Sequence, residues 1–174
     1  MEPLLREMAL PINIEPMSEE HWSSVRKIYA QGIATRNATF ETGVPQWTEW
    51  DGRHLSTCRL VALHDGGEVV GWAALSAVSS RQVYRGVAEV SVYVATSAQG
   101  KGIGSALLSA LVAESERNGI WTLQAGILAE NAASIHLHEK AGFHIVGRRE
   151  KIGRLDGQWR DTILMERRSR STGV

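Results

Sequence analysis

The stretch that most constrains this chain runs from Glu89 to Ser105, Glu-Val-Ser-Val-Tyr-Val-Ala-Thr-Ser-Ala-Gln-Gly-Lys-Gly-Ile-Gly-Ser. Its first half alternates, with Val90, Val92 and Val94 on one side and Glu89, Ser91 and Tyr93 on the other, the period of two that a pleated strand imposes. Gly100, Gly102 and Gly104 follow, after which Ile103, Leu107 and Leu111 recur at helical spacing. The stretch predicts a strand, a glycine turn and a helix. Such a turn lets backbone N–H groups approach a ligand, and the helix N-terminus adds partial positive charge, so the unit suits a phosphate or pyrophosphate. A P-loop is excluded, because Lys101 lies between two glycines with no Ser or Thr after it. A dinucleotide turn fits poorly: the spacing is Gly-x-Gly-x-Gly, and the next strand runs out through Ala125 and Gly126 without the acidic residue that reads a ribose. What fits is Gln-x-x-Gly-x-Gly, Gln99 to Gly104. A glycine loop that merely caps a helix is the simpler alternative.

Length and charge leave the ligand to be found locally. At 174 residues the chain suits one domain with a filled core. We expect a flexible lead over 1–10, the domain over 11–167 and a solvated tail over 168–174. Nineteen basic and nineteen acidic residues balance, so no global charge argues for nucleic acid or an anionic membrane. No apolar run approaches the roughly 20 residues of a membrane span, and Met1 to Leu10 contains Glu2 and Glu7, which predicts a soluble cytoplasmic protein. The single cysteine, Cys58, reads as a small buried hydrophobe. The six tryptophans are spread out and read mostly as core.

Along the chain, Ile12 to Glu15 predicts a first strand, and Ser18 followed by Glu19 and Glu20 predicts the start of a helix whose buried stripe is Trp22, Val25, Ile28, Tyr29 and Ile33. Thr48 to Ser56 reads as a short helix. Leu60 to Leu63 and Val69 to Ala77 read as a hairpin across Asp65-Gly66-Gly67. Trp121 to Ile127 is expected to run parallel to the Glu89 strand because a helix crosses over between them. Asn131 to Ala141 reads as a helix ended by Gly142. Phe143 to Val146, with a possible extension through Arg149, and Gln158 to Glu166 read as the last strands. This order predicts a mixed α/β sheet with helices on both faces.

A second polar pattern lies in the helix from Asn131. Asn131, Ser134 and His138 stand at i, i+3 and i+7 and share one helical face. His136 is about 200 degrees round the helix from His138, so the pair is a poor metal clamp and no metal is expected.

The two patterns, Gln99 to Gly104 and Asn131 to Phe143, resemble in order and separation the two signatures of the GNAT N-acetyltransferase superfamily. Ala38-Thr39-Phe40-Glu41, Arg81-x-x-Tyr84-Arg85, Ala88-Glu89-x-Ser91-Val92-Tyr93-Val94, Leu137-His138-Glu139 and Gly157-x-Trp159-x-Asp161 resemble its phosphinothricin and methionine sulfoximine branch, from Ile12 to Glu166. The resemblance implies a central mixed sheet whose parallel strand pair splays apart, with the pantetheine arm of acetyl-CoA adding between the two strands. It implies cofactor contacts from Val92, Tyr93, Val94, Gln99, Gly100, Lys101, Gly102, Ile103, Gly104, Ser105, Asn131 and Ser134. Glu89 matches the proposed general base and His138 a histidine near the reacting centre, where many members of the superfamily carry a tyrosine. Arg81, Arg85, Phe40 and Glu41 match positions toward the amino-acid substrate, and a homodimer is implied. The alternatives are acetylation of peptide N-termini or polyamines, or a regulatory domain that binds acyl-CoA without turnover.

Acetyl transfer needs a neutral amine and a polarised thioester carbonyl. Glu89 could take the amine's proton, or could instead pair with Arg85 as a structural ion pair. A backbone N–H near Val94 could bind the developing oxyanion. At about 3.3 Å per residue, Glu89 and Val94 are on the order of 16 Å apart along the strand, so the proton is expected to travel through water. Arg81 and Arg85 could grip a carboxylate or belong to a solvated basic loop, and Lys101 could touch a phosphate or water.

Overall fold

Apolar alternation and glycine punctuation put the elements close to where the sequence predicts them. The computed structural model describes residues 10–174, so the expected flexible lead lies outside the described residues except for Leu10. The strands are β1 (Ile12–Pro16), β2 (Leu60–His64), β3 (Glu68–Ala77), β4 (Val87–Val94), β5 (Thr122–Leu128), β6 (His144–Leu155) and β7 (Gln158–Arg168). The helices are α1 (Trp22–Ala34), α2 (Trp47–Arg53), α3 (Ile103–Arg117) and α4 (Ala132–Lys140). The strands form one sheet in the order β1-β2-β3-β4-β5-β7-β6, in which β4 and β5 pair parallel and every other neighbouring pair is antiparallel.

The two faces of β4 are covered by different helices. Tyr93 and its register partner Trp72 stack at 4.9 Å, and Tyr29 of α1 and Trp50 of α2 meet Trp72 edge-on at 5.5 and 5.6 Å. Trp50 and Trp72 are each 1% exposed, and burying an indole is worth on the order of 4–6 kcal/mol of transfer free energy. On the opposite face α3 lies so close that a Cβ at Gly71 would come within 2.8 Å of Leu107. Helices therefore flank both faces, as the order of elements predicts.

The pairing of β4 with β5 is short. It joins Val87 to Thr122, Ala88 to Leu123 and Glu89 to Gln124, and then stops. From there β5 continues along β7 as far as Leu128 opposite Thr162, while β4 continues along β3 as far as Val94 opposite Gly71. The two central strands thus diverge into a fork.

Several boundaries differ from expectation: α2 ends at Arg53 where the expected helix ran to Ser56, and three other differences bear on the site or the chain end. Asn131 stands before α4 as its N-cap, accepting a hydrogen bond from the Ser134 N–H at 3.1 Å. Strand β6 runs on to Leu155 through register shifts at Ile145/Gly147 and Arg149/Gly153, which Asp161 across the hairpin stabilises by accepting from the Lys151 N–H at 2.7 Å. The third is the expected solvated tail at 168–174. Arg168 still belongs to β7, and its guanidinium donates to the carbonyls of Trp121, Ser169, Thr172 and Gly173. Ser169 is 5% exposed and donates to Glu116, so this end of the chain is pinned across Trp121 instead of being free in solvent.

Trp121 also sits against Gly86, where an added Cβ would come within 2.1 Å of the indole. Gly86→Ala should therefore destabilise the fold by about 2–3 kcal/mol, an overpacking cost. Gly52→Ala, in open space within α2, should be neutral or stabilise by up to about 1 kcal/mol. Urea denaturation of the two variants checks the contrast, and equal stabilities would contradict the Trp121 packing.

Candidate active site

The fork between β4 and β5 opens into a cavity of about 260 Å³. One wall is β4 from Glu89 to Tyr93, and the other is β5 from Ala125 to Leu128. Asn131, Ser134 and His138 close it from α4, and Ala38 to Glu41 close it from the segment between α1 and α2. The Ala95 N–H donates to Val70 on β3 at 2.8 Å, and because successive N–H groups of a strand alternate in direction, the Val94 N–H points the other way, into the fork. The same alternation turns the N–H groups of Val90 and Val92 to the β5 side; that of Val90 serves the last pairing, Glu89 with Gln124, and that of Val92 lies beyond it.

Beyond the end of β4, and outside the residues that line the cavity, is the glycine turn. Gly100 and Gly102 have φ of +75° and +80°, conformations that side chains with a Cβ rarely take, and an added Cβ at either would meet nothing within 4 Å. Exposed Gln99 leads into the turn from the short helical turn Thr96–Ala98. Gly102 caps α3, and the first intrahelical bond is Ala106 N–H to Gly102 O, so the N–H groups of Ile103, Gly104 and Ser105 lack helical partners. Ile103 is buried and anchors the turn from below, while Gly104 lets Leu137 of α4 approach within 3.4 Å of where its Cβ would be. Lys101 folds back and donates to the Ser97 carbonyl at 3.3 Å, bracing the turn itself. Gln31 of α1 also braces it, accepting from the Thr96 N–H at 2.9 Å. A concave row of free donors with open space in front fits a pyrophosphate.

Glu89 stands at the closed end of the fork, where Gln124 donates to its carboxylate at 2.8 Å. The alternative ion pair with Arg85 does not form: the Arg85 guanidinium lies over Trp121 at 5.2 Å and donates to the Gln82 carbonyl. Gln124 was not singled out by sequence, since only the parallel register brings it opposite Glu89; a glutamine within an apolar strand is the signal that could have found it. Phe40 and Glu41 line the cavity. Arg81 and Arg85 do not line it. Arg81 is exposed over the ring of Tyr84 at 5.5 Å, and among the described residues that line the cavity none is a cation.

His138 is 5% exposed, and burial holds its imidazole below the usual histidine range. Its Nδ1 lies 2.7 Å from the Ser134 carbonyl, which can only accept, so Nδ1 carries the proton and Nε2 is left as an acceptor. Phe143 meets the ring edge-on at 5.1 Å. Tyr29 is pushed up to about 12 by burial and by the nearby Glu41 carboxylate, and Tyr93 is pushed up as well, chiefly by burial, so both phenols keep their protons.

Comparison with known proteins points the same way. Residues 19–143 match the family described as acetyltransferase (GNAT) family. A methionine sulfoximine/methionine sulfone acetyltransferase of Pseudomonas aeruginosa is 39% identical over 134 residues, covering 77% of this chain and 73% of that protein. The structure of a phosphinothricin acetyltransferase from Sinorhizobium meliloti in complex with acetyl-CoA superposes with a TM-score of 0.85 at 32% identity, over 93% of this chain and 90% of that one. A ribosomal-protein-alanine N-acetyltransferase from Brucella melitensis superposes with a TM-score of 0.82 at 32% identity, over 90% and 99%.

The histidine burial carries a pH dependence. The folded-state pKa of His138 lies below the ordinary 6.5, so below that pH the unfolded chain takes up its proton first. The stability from neutral His138 is complete above pH 6.5 and is lost as pH falls through the folded-state pKa. The slope is at most about 1.4 kcal/mol per pH unit for one histidine. His54, also lowered chiefly by burial, adds in the same direction. Urea unfolding between pH 7.5 and 5 should give a steeper loss for the native chain than for His138→Gln, and parallel curves would contradict it.

Proposed function

The chain belongs to the GNAT acetyltransferase family, and from that premise we propose that it transfers the acetyl group of acetyl-CoA to the α-amine of a small amino acid or analogue of the methionine sulfoximine, methionine sulfone or phosphinothricin kind. The observation that carries the reading is the fork itself. The Glu89 carboxylate and the β4 residues beyond the last pairing with β5 share one cavity, and the glycine turn follows the end of β4.

In this reading acetyl-CoA supplies the activated thioester, and the chain orients it. N–H groups of the turn and the α3 N-terminus hold the pyrophosphate, and Val92 pairs with the pantetheine arm as it would with a neighbouring strand. The Val94 N–H stabilises charge on the thioester oxygen as the amine attacks. Glu89, held in place by Gln124, takes the amine's proton through water. His138 positions the acceptor side by accepting a hydrogen bond at Nε2, and no step requires a metal.

A carboxylate-bearing acceptor needs a cation that the cavity walls lack. Arg81 or Arg85 of a second copy is the proposed source, so we infer a homodimer with the Ser79 to Gly86 link at its interface. Val78, Val83 and Tyr84, 41%, 60% and 45% exposed, give that link an apolar surface suited to burial. The charge-balanced chain acts in the cytoplasm in this reading. A second reading, acetylation of a peptide N-terminus, is favoured by the acidic Glu41 and Glu89 in a cavity whose described lining residues include no cation and by the similarity to the Brucella melitensis enzyme.

Thiol release from acetyl-CoA against free amino acids, their amides, peptides and polyamines separates these readings. We expect turnover with methionine sulfoximine or phosphinothricin and little with the amides; preference for peptides would favour the second reading, and no turnover would leave an acyl-CoA-binding domain. Glu89→Gln should lower kcat by about 100-fold, most at low pH, with acetyl-CoA affinity intact. Gly102→Asp should weaken acetyl-CoA binding by about tenfold or more, because it sets a carboxylate beside phosphate. Arg81→Ala or Arg85→Ala should raise KM for the free acid far more than for its amide.

The dimer has its own check. Sedimentation at micromolar concentration should give about twice the mass of one chain, and a monomer would count against the proposed source of the cation.

A further inference from the structure

The segment from Arg36 to Glu41 supplies the acceptor wall of the cavity, yet it belongs to no helix or strand. Its internal hydrogen bonds are Asn37 N–H to Thr35 Oγ1 at 3.2 Å and Glu41 N–H to Thr39 Oγ1 at 3.1 Å. Arg36 itself has φ of +54°, so the chain leaves α1 through a left-handed turn that lacks a glycine. What fixes this segment must therefore come from elsewhere in the molecule.

Arg53 of α2 pairs with Glu41 at 3.4 Å at one end of the segment, and the other end is held chiefly by the β6–β7 hairpin. Arg160 on β7, with a side chain only 18% exposed, donates to the Arg36 carbonyl at 2.9 Å and to the Asn37 side-chain oxygen at 3.2 Å. Its guanidinium also binds Glu130 at 3.0 Å, just before the α4 N-cap. That N-cap, Asn131, donates to the Asn37 carbonyl at 3.0 Å, so one residue is gripped from both sides. Arg36 bridges to Asp156 at the hairpin tip at 3.3 Å. Phe40 lies against Gly153, where a Cβ would come within 2.8 Å of its ring. Gly153 follows the β6 bulge, which Asp161 holds by accepting from Arg148 and from the Lys151 N–H, both at 2.7 Å.

We propose that Arg160 is a positioning residue that clamps the 36–41 segment onto the cavity, and that the bulged β6–β7 hairpin is the rigid jaw of that clamp. Three fixed acceptors around one planar guanidinium leave little freedom of placement. Asn131 is held separately, as the α4 N-cap that accepts from the Ser134 N–H, so its place in the cavity wall does not depend on Arg160. The kinetic part of this inference rests on the proposed acetyl transfer, with the acceptor bound against residues 38–41; the structural part does not.

The test uses Arg160→Ala, Arg160→Lys and Asn37→Ala in the full chain, with acceptor KM, acetyl-CoA affinity and amide hydrogen exchange measured side by side. Arg160→Ala should raise acceptor KM about tenfold, the loss expected of a hydrogen bond to a charged group, with acetyl-CoA affinity changed by less than about twofold. Exchange at the amides of 37–41 should quicken about tenfold while β3 and α3 stay protected. Arg160→Lys, which cannot reach three acceptors at once, should fall between. Asn37→Ala, which leaves the backbone bonds, should shift exchange in the same direction by less, and it decides the matter if Arg160→Ala does not fold. Unchanged exchange at 37–41 in a folded variant overturns the clamp, as do equal losses for acceptor and acetyl-CoA. If the native chain turns over no acceptor, the proposed activity falls while the exchange result still judges the clamp.

Discussion

The parallel pairing between β4 and β5 ends after three residues, and the rest of the site depends on that. A strand in the middle of a sheet normally satisfies every backbone N–H and C=O, because leaving them buried and unpaired is costly. Here the N–H groups of Val92 and Val94, beyond the last pairing with β5, turn to the open side of the fork, inside the sheet and not at its edge. The geometry is stable because water or a ligand can meet those groups, and a linear ligand with alternating amides meets them best.

Several contacts hold the fork open. On the β5 side, β7 pairs from Thr122 opposite Arg168 to Leu128 opposite Thr162, so β5 follows β7 along its whole length after its pairing with β4 has ended. On the β4 side, Tyr93 is clamped between Trp72 and Tyr29, and α1 comes close because Gly32 faces the ring, where a Cβ would lie 2.6 Å from it. These aromatic contacts tie the cavity wall to α1, from which the 36–41 segment departs. Packing in the core and placement of the acceptor wall are therefore coupled through one helix.

The parts of the site that were legible in the sequence are those whose signal is local. The alternation of Glu89, Ser91 and Tyr93 against three valines, the positive-φ glycines before Ile103 and the spacing of Asn131, Ser134 and His138 are each written in a few consecutive turns of chain. What was not legible depends on partners far away in sequence. Gln124 matters because register sets it against Glu89, and Arg160 because it crosses to Arg36 and Asn37. The extension of β6 was hidden because its bulge breaks the alternation that announces a strand, and Asp161 compensates from the opposite strand. Arg168 looked like part of a charged tail because nothing local says that its guanidinium gathers four carbonyls.

The state of His138 restricts how the proposed reaction can end. The departing thiolate needs a proton, and a tyrosine or a protonated histidine at this position could give one. His138 is buried, held neutral near pH 7 by that burial, and its single ring proton is committed to the Ser134 carbonyl. Donating it would leave an anionic imidazole in an apolar surround beside Phe143, which is far costlier than leaving the thiolate to solvent. The same ring accepts readily at Nε2. His138 therefore belongs on the side of the reaction where protons are removed or hydrogen bonds are accepted, alongside Glu89, and the proton that neutralises the thiolate reaches it through water or from the amine that has just reacted.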